Sequence, residues 1–203
     1  MIGSAVLDSI RSRRSVRAHT AQAVPPEVMD VLLEAARWAP TGGNRQQWCF
    51  VVVQEPLRIR KLAAVSPGLL GHPAALIVIC ASGGAESGRS TVLDEACSLI
   101  EAGMAAQNIM LVATALGLGS CPVRSFNVAA VRHLLKLPRG VEPELIITLG
   151  YPARPVPAPP RRPASDLVHW EEYGMAQACD RVRSPQAQPV APDVRPPGGE
   201  SPS

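Results

Sequence analysis

One stretch limits what this chain can become more than any other: residues 37–53, Arg37-Trp38-Ala39-Pro40-Thr41-Gly42-Gly43-Asn44-Arg45-Gln46-Gln47-Trp48-Cys49-Phe50-Val51-Val52-Val53. It reads as a helix end, a polar glycine-rich loop and a buried strand. Pro40 stops the helix, and Gly42-Gly43 permit backbone shapes that a side chain forbids. Residues 48–53 are β-branched and aromatic, as a buried strand is. Between helix and strand, Thr41, Asn44, Gln46 and Gln47 place four neutral hydrogen-bonding side chains at a strand's edge. That set suits the flat, polar, uncharged edge of a ligand better than a metal or a proton-transfer site. An ordinary helix-to-strand connection reads the same way, so the rest of the chain has to decide.

The 203 residues allow one domain with a sizeable core plus appendages, and 46% apolar content fits a soluble globular protein. A net charge of +3 with scattered basic residues argues against nucleic acid as a partner. No apolar run approaches a membrane span, and the start lacks the basic-then-apolar pattern of a signal peptide. The five cysteines (Cys49, Cys80, Cys97, Cys121, Cys179) form no CxxC pair, and three lie in apolar segments. Reduced thiols in a cytoplasmic protein are the expectation.

In chain order, residues 4–12 form a short helix with Val6, Leu7 and Ile10 on one face. It leads into Arg11-Ser12-Arg13-Arg14-Ser15-Val16-Arg17, the densest basic run. Such a run is either a solvated face or a phosphate site, because guanidinium forks and a hydroxyl match phosphate oxygens. Pro25-Pro26-Glu27 opens a helix whose Val28, Val31, Leu32 and Ala35 recur at amphipathic spacing. The pattern then predicts a strand over 48–53, a helix over 56–64, a strand over 74–81 and a Gly/Ser-rich loop over 82–90. A long helix over 92–116 closes at Gly117. Its Ala102, Gly103, Ala105 and Ala106 admit close packing, as a domain centre or a dimer seam. An extended segment over 119–126, a helix over 128–135 capped by Asn127, and a strand over 144–150 follow.

Twelve of the 21 prolines lie in the last 53 residues, so this part is neither packed helix nor central strand. Residues 151–175 read as an extended arm anchored by Leu167, Val168 and Trp170 and ending in a Glu171-Glu172-Tyr173 turn. Residues 183–203 read as a disordered proline-rich tail. The domain therefore runs over 1–175.

The chain has no HExxH, GxSxG, P-loop or strand-borne GxGxxG. His19, His72, His133 and His169 are dispersed, no metal site is expected, and Cys121-Pro122 has no evident base to activate it. If the protein is an enzyme, it borrows its chemistry from a cofactor.

Four blocks, in order, resemble the FMN-dependent nitroreductase family over about residues 6–173. They are Arg13-Arg14-Ser15-Val16-Arg17; Ala39-Pro40-Thr41-Gly42-Gly43-Asn44-Arg45-Gln46-Gln47-Trp48; Ala105-Ala106-Gln107-Asn108 through Gly117-Leu118-Gly119-Ser120-Cys121; and Leu149-Gly150-Tyr151-Pro152 with Arg161-Arg162-Pro163. The resemblance implies an α+β fold, a mixed central sheet flanked by helices, in an intertwined homodimer with FMN at the subunit interface. It implies that Arg13, Arg14, Ser15 and Arg17 hold the ribityl-phosphate side and the pyrimidine edge of the flavin. Asn44 and Gln46 would meet the ring from the other subunit, and Arg161 and Arg162 would reach the phosphate. The backbone N–H of Ser125 would lie near flavin N5, with Arg124 near the substrate face, and no side chain would be catalytic in its own right. The implied activity is two-electron transfer through N5 from NAD(P)H to a small organic acceptor.

Two departures stand out: Gln46-Gln47-Trp48 where the family has Gln-Pro-Trp, and Arg124-Ser125 where many members carry glycines. Within the family, Asn44-Arg45-Gln46, Ser66-Pro67-Gly68-Leu69-Leu70-Gly71, Gly119-Ser120-Cys121-Pro122-Val123 and Glu142-Pro143-Glu144-Leu145 are similar to the cyclodipeptide oxidase (albonoursin synthase-like) large subunit. That alternative implies desaturation of cyclic dipeptides with oxygen as acceptor and a small partner subunit. A non-catalytic flavin-binding scaffold is a further alternative.

Overall fold

The computed structural model describes residues 4–82 and 92–175. Five helices are α1 (Ser4–Ser12), α2 (Pro26–Arg37), α3 (Pro56–Ala64), α4 (Val92–Ala115) and α5 (Val128–Leu135). Four strands are β1 (Trp48–Val53), β2 (Ala75–Ser82), β3 (Gly119–Val123) and β4 (Val141–Gly150). The chain divides into two compact units, residues 1–158 and 159–203.

The first unit is an α+β structure around one sheet of order β1-β2-β4-β3, with every strand pairing antiparallel. Among the described residues, the parallel component expected of the sheet is a single bridge between Ser15 and Ser120. Side chains alternate across the sheet with period two. Ala75, Ile77 and Ile79 of β2, with Ile147 and Leu149 of β4, pack among α2 and α4 residues such as Leu32, Ala36, Ala106 and Ile109. Leu76, Val78 and Cys80, with Ile146, face the other way and join Ile59 and Leu62 of α3 and Val131 of α5. β2 and β4 are thus covered on both faces, whereas β1 and β3 are edges.

Local sequence sets the boundaries. Pro56 starts α3, with the Glu55 carboxylate accepting from the N–H groups of Leu57 and Arg58. Asn127 caps α5 through the N–H of Ala130. α4 ends as expected on Gly117, whose N–H donates to Thr114 while that of Leu118 reaches Ala113, a Schellman closure.

Four expectations change. β4 begins three residues before the predicted 144, running through Pro143. A register shift between Ile79 and Cys80 brings Pro143 opposite Cys80, so the missing N–H falls at an irregular step of the ladder. The extended segment before Arg124 is a true strand, and its Pro122 is tolerated because β3 is an edge. The buried face of α2 is set by Met29, Leu32 and Ala36, one residue on from the predicted set, leaving Val31 48% exposed. Contrary to the expectation of no membrane-length run, residues 96–115 of α4 are long and apolar enough to pass for a span. In this fold that helix is a core element: Ala102, Ala105, Ala106, Ile109 and Ala113 are buried.

In the second unit, a 3-10 turn spans Ala164–Asp166 and Arg162 donates to the Asp166 carbonyl at 3.3 Å. The rings of His169 and Tyr173 lie 4.3 Å apart at a tilt of 48°, and Glu172 N–H closes a turn on Trp170. Leu167, Val168 and Trp170, expected as anchors, are exposed in the single chain. The predicted tail over 183–203 and nearly all of the predicted loop over 82–90 lie outside the described residues.

Candidate functional site

The basic run leaves α1 and turns along the β3 edge. Arg14 folds back on the carbonyls of Arg11 and Arg13, leaving its Nε buried without a partner. Ser15 bridges Ser120, and Val16 N–H donates to the Ser120 carbonyl at 2.9 Å. A Cβ on Gly119 would stand 2.6 Å from the Val16 side chain, so this approach requires glycine. Farther on, Ala153 N–H binds the Ala18 carbonyl and Thr20 N–H binds that of Tyr151. Residues 15–20 are thereby laced to β3 and to the end of β4.

One loop joins the remaining pieces. Residues 66–71 turn with Leu69 N–H on the Ser66 carbonyl. At one end, Gly68 donates to the Ser125 carbonyl, and a Cβ there would fall 2.2 Å from Ser125 Oγ. At the other, Gly71 (φ +75°) lies so close to Arg17 that a Cβ would meet its carbonyl oxygen at 2.0 Å. Arg17 and Ser125, 108 residues apart in sequence, are held at the two ends of the same six-residue loop. Two hydroxyls on these walls, Ser66 and Ser120, are buried without a hydrogen-bond partner.

Such orphaned polar atoms are uncommon in a satisfied interior. Together with the three arginines of the neighbouring basic run, they fit a polyanionic ligand with a polar body, as FMN is.

Arg124 is fastened elsewhere: it pairs with Glu144 at 3.7 Å and lies over the Phe126 ring at 5.4 Å. Asn44 and Gln46 sit on an exposed loop at the opposite sheet edge. There Gly43, Asn44 and Gln46 all adopt positive φ (60°, 55° and 51°). For Gln46, left-handed backbone costs on the order of 1–2 kcal/mol. Its N–H bonds Thr41 Oγ1 at 3.1 Å and its amide bonds Asn44 Oδ1 at 3.1 Å. Glu101 of α4 accepts from Gly42 N–H at 2.8 Å and ties the loop to that helix.

With β2 and β4 between them, the β1 and β3 edges are three strand spacings apart, roughly 14 Å. The structure sets Ser15 beside Ser120, and Arg17 and Ser125 against Gly71 and Gly68 of one loop, while Asn44 and Gln46 lie at the opposite sheet edge. Arg161 and Arg162 belong to the second unit.

Sequence reasoning missed Gly68, Gly71, Ser120 and Glu101 as site-building residues. The motif Ser66-Pro67-Gly68-Leu69-Leu70-Gly71 was a usable signal for the first two. Glu101, in the middle of a long helix, offered none.

His19 packs against Gly150 so closely that a Cβ there would lie 3.0 Å from its ring. Burial holds the imidazole below its ordinary value, weakly opposed by the Gly150 backbone, and neither ring nitrogen makes a well-formed hydrogen bond. Among the described residues, no three His, Cys, Asp or Glu side chains gather as a metal site.

The family model described as Nitroreductase family matches residues 10–70 and 62–151. A Methanothermobacter thermautotrophicus protein named "Putative NADH dehydrogenase/NAD(P)H nitroreductase" is 36% identical over 156 residues, covering 73% of this chain and 78% of its own. The Bacillus subtilis protein named FMN reductase [NAD(P)H] is 28% identical, with 83% and 74% covered. Among solved structures, B. megaterium NfrA1 superposes with a TM-score of 0.77 at 26% identity, covering 84% of this chain and 75% of that one.

Proposed function

We propose that this chain, which belongs to the nitroreductase family of oxidoreductases, is an FMN-dependent enzyme that passes a hydride from NAD(P)H to a small organic acceptor. The observation that supports the reading is the 66–71 loop, which packs on Arg17 and Ser125 beside the basic run and lies near unpartnered buried polar atoms of Arg14, Ser66 and Ser120. Names of relatives that use NAD(P)H and FMN support it.

The chemistry the flavin supplies when bound is two-electron transfer through N5. The residues of this chain bind and orient. Arg13 and Arg17 would offer forked donors to phosphate oxygens, and Arg14 would add to a cationic field that favours electron-rich states of a nearby ring. The Ser125 backbone would border the reactive edge; Arg161 and Arg162, which the family resemblance assigns to the phosphate, lie in the second unit.

Asn44 and Gln46 lie at the far sheet edge, so their part in the site requires a second copy of the chain. A homodimer is also supported by α4, where Leu99, Ile100 and Met104 leave an apolar face exposed. A second reading, a cyclodipeptide oxidase large subunit working with a small partner and oxygen, draws on the 66–71 loop. The motif that carries that likeness is the segment packed on Arg17 and Ser125.

The test is flavin content. Purified protein is expected to show flavin absorbance and to release FMN on denaturation. Replacing Arg13 and Arg17 together with Ala removes two charge-assisted partners at about 1.5–3 kcal/mol each, weakening FMN binding about 10²–10⁴-fold. Apo-protein stability should change little. Unchanged flavin occupancy in the double variant overturns the reading. Desaturation of cyclic dipeptides only with an added small subunit, and no NAD(P)H-driven reduction by the chain alone, selects the second.

A further inference from the structure

The mechanism above uses none of the cysteines, yet two of them are direct cross-strand neighbours. Cys49 of β1 pairs in register with Cys80 of β2, and both point to the α3/α5 face of the sheet. Ser82 N–H donates to the Gln47 carbonyl, which marks the 47/82 step as a hydrogen-bonded pair. Alternation along the ladder makes 49/80 another such pair, with Cα atoms about 5.5 Å apart. That spacing lies within the range of about 4.4–6.8 Å that a disulfide spans. Cys80 is buried and Cys49 only partly buried, so one of the pair can meet a small solute while the other waits beside it.

The other described cysteines have no comparable partner. Cys121 lies on β3, with β4 between it and β2, and its register partner Thr148 stands opposite Leu76, four residues from Cys80. Cys97 belongs to α4, on the other face of the sheet.

We propose that Cys49 and Cys80 form an oxidation site, a cross-strand dithiol that a peroxide converts into a disulfide joining β1 to β2. The Cys49 sulfur attacks one peroxide oxygen, the O–O bond breaks, and water or an alcohol leaves, giving a sulfenic acid. The Cys80 sulfur then attacks that sulfur, an S–S bond forms, and the hydroxyl departs as water. Two thiols lose two electrons and the peroxide gains them.

Burial shapes the rate. It pushes the Cys49 thiol up and the Cys80 thiol up to about 12, with the neighbouring thiol and the carboxylates of Glu144 and Glu142 adding to the latter. Thiolate is scarce at neutral pH, so the pair oxidises slowly and faster in alkali. High thiol pKa values also make poor leaving groups, so the disulfide, once made, resists exchange. The bond would fix β1 three residues after Gln46, at the root of the loop that carries Asn44. Nothing in this inference depends on flavin binding.

The test treats the full chain with hydrogen peroxide at neutral and alkaline pH, blocks residual thiols under denaturing conditions, and maps peptides. Expected are a mass lower by two hydrogens, two of the five thiols lost, a linked Cys49–Cys80 peptide, and full recovery with dithiothreitol. Cys49→Ser and Cys80→Ser should each abolish the loss of two hydrogens. A linkage through Cys97, Cys121 or Cys179 overturns the proposal. So does addition of oxygen at Cys49 without any linked peptide. If a serine variant fails to fold, the wild-type peptide map decides alone.

Discussion

Gly71→Ala is the substitution that most directly tests how the arginine site is built. The new methyl group meets two separate penalties. At φ +75° an L residue occupies left-handed backbone, at about 1–2 kcal/mol. Its Cβ would also stand 2.0 Å from the Arg17 carbonyl oxygen, and real Cβ atoms essentially never approach below 3.0 Å. One wall must retreat by about 1 Å, an overpacking penalty of about 1–3 kcal/mol.

Gly117→Ala is the matched control. Its φ is +76°, nearly identical, and nothing lies within 4 Å of its Cβ. The control should lose about 1–2 kcal/mol and Gly71→Ala about 2–5 kcal/mol. For a chain of this size that is roughly 2–8 °C against 4–20 °C in Tm. Differential scanning of both apo proteins measures the difference, and FMN titration supplies a second readout. Because Val16 and Ala18 are hydrogen-bonded on either side of Arg17, the 66–71 loop yields first and pulls away from Ser125 as well. FMN affinity should fall at least tenfold in Gly71→Ala and stay unchanged in the control. Equal Tm losses, or a large loss in Gly71→Ala with unaltered affinity, would show that this contact does not shape the site.

Other consequences can be measured in parallel. The folded state holds His19 below its unfolded value of 6.5, so the unfolded chain takes up the proton first. The His19 contribution to stability is complete above pH 6.5 and is lost as pH falls through the lower folded value. Tm of the native chain should therefore drop more between neutral and acid pH than Tm of His19→Phe, and identical pH profiles would refute it. Ending the chain after residue 158 removes Arg161 and Arg162 and should lower flavin content, while ending it after residue 182 should not; equal content in both denies the arm its role. Replacing Ile100, 57% exposed, and Met104 with Glu should shift the sedimenting species from dimer to monomer and lower FMN affinity with it. A variant that still sediments as a dimer would exclude this face from the interface.

Most of the framework was legible because its signals are local. Pro56 and Ala64 bound α3 as predicted, Asn127 caps α5, and the β-branched run over 48–53 is β1. The basic run over 11–17 was legible as charge, and phosphate binding there is the proposal that flavin content tests. What escaped were features set by distant partners. The one-residue rotation of α2 depends on which face the sheet and α4 cover, and Met29 satisfies that face as well as Val28 does. The extension of β4 through Pro143 depends on an irregular step that β2 accommodates. Gly71 signals a turn but not the carbonyl of Arg17 that makes it necessary.

The Asn44–Gln46 loop shows how strain, assembly and binding are connected in this molecule. Two non-glycine residues with positive φ persist only where the surroundings outweigh the penalty. Thr41 does part of this from within the loop, and Glu101 does it from α4 through the Gly42 N–H. Glu101 directly follows Leu99 and Ile100 and precedes Met104, the residues that expose the apolar stretch of α4. A second copy covering that stretch in the proposed dimer would remove water from beside the Glu101–Gly42 bond and strengthen it, since a charged hydrogen bond gains as its surroundings dry. The same event would bring Asn44 and Gln46 to an arginine cluster that one chain keeps at the far edge of its sheet. Loop order, burial of the α4 face and affinity for an anionic ligand are then linked quantities, each raising the others.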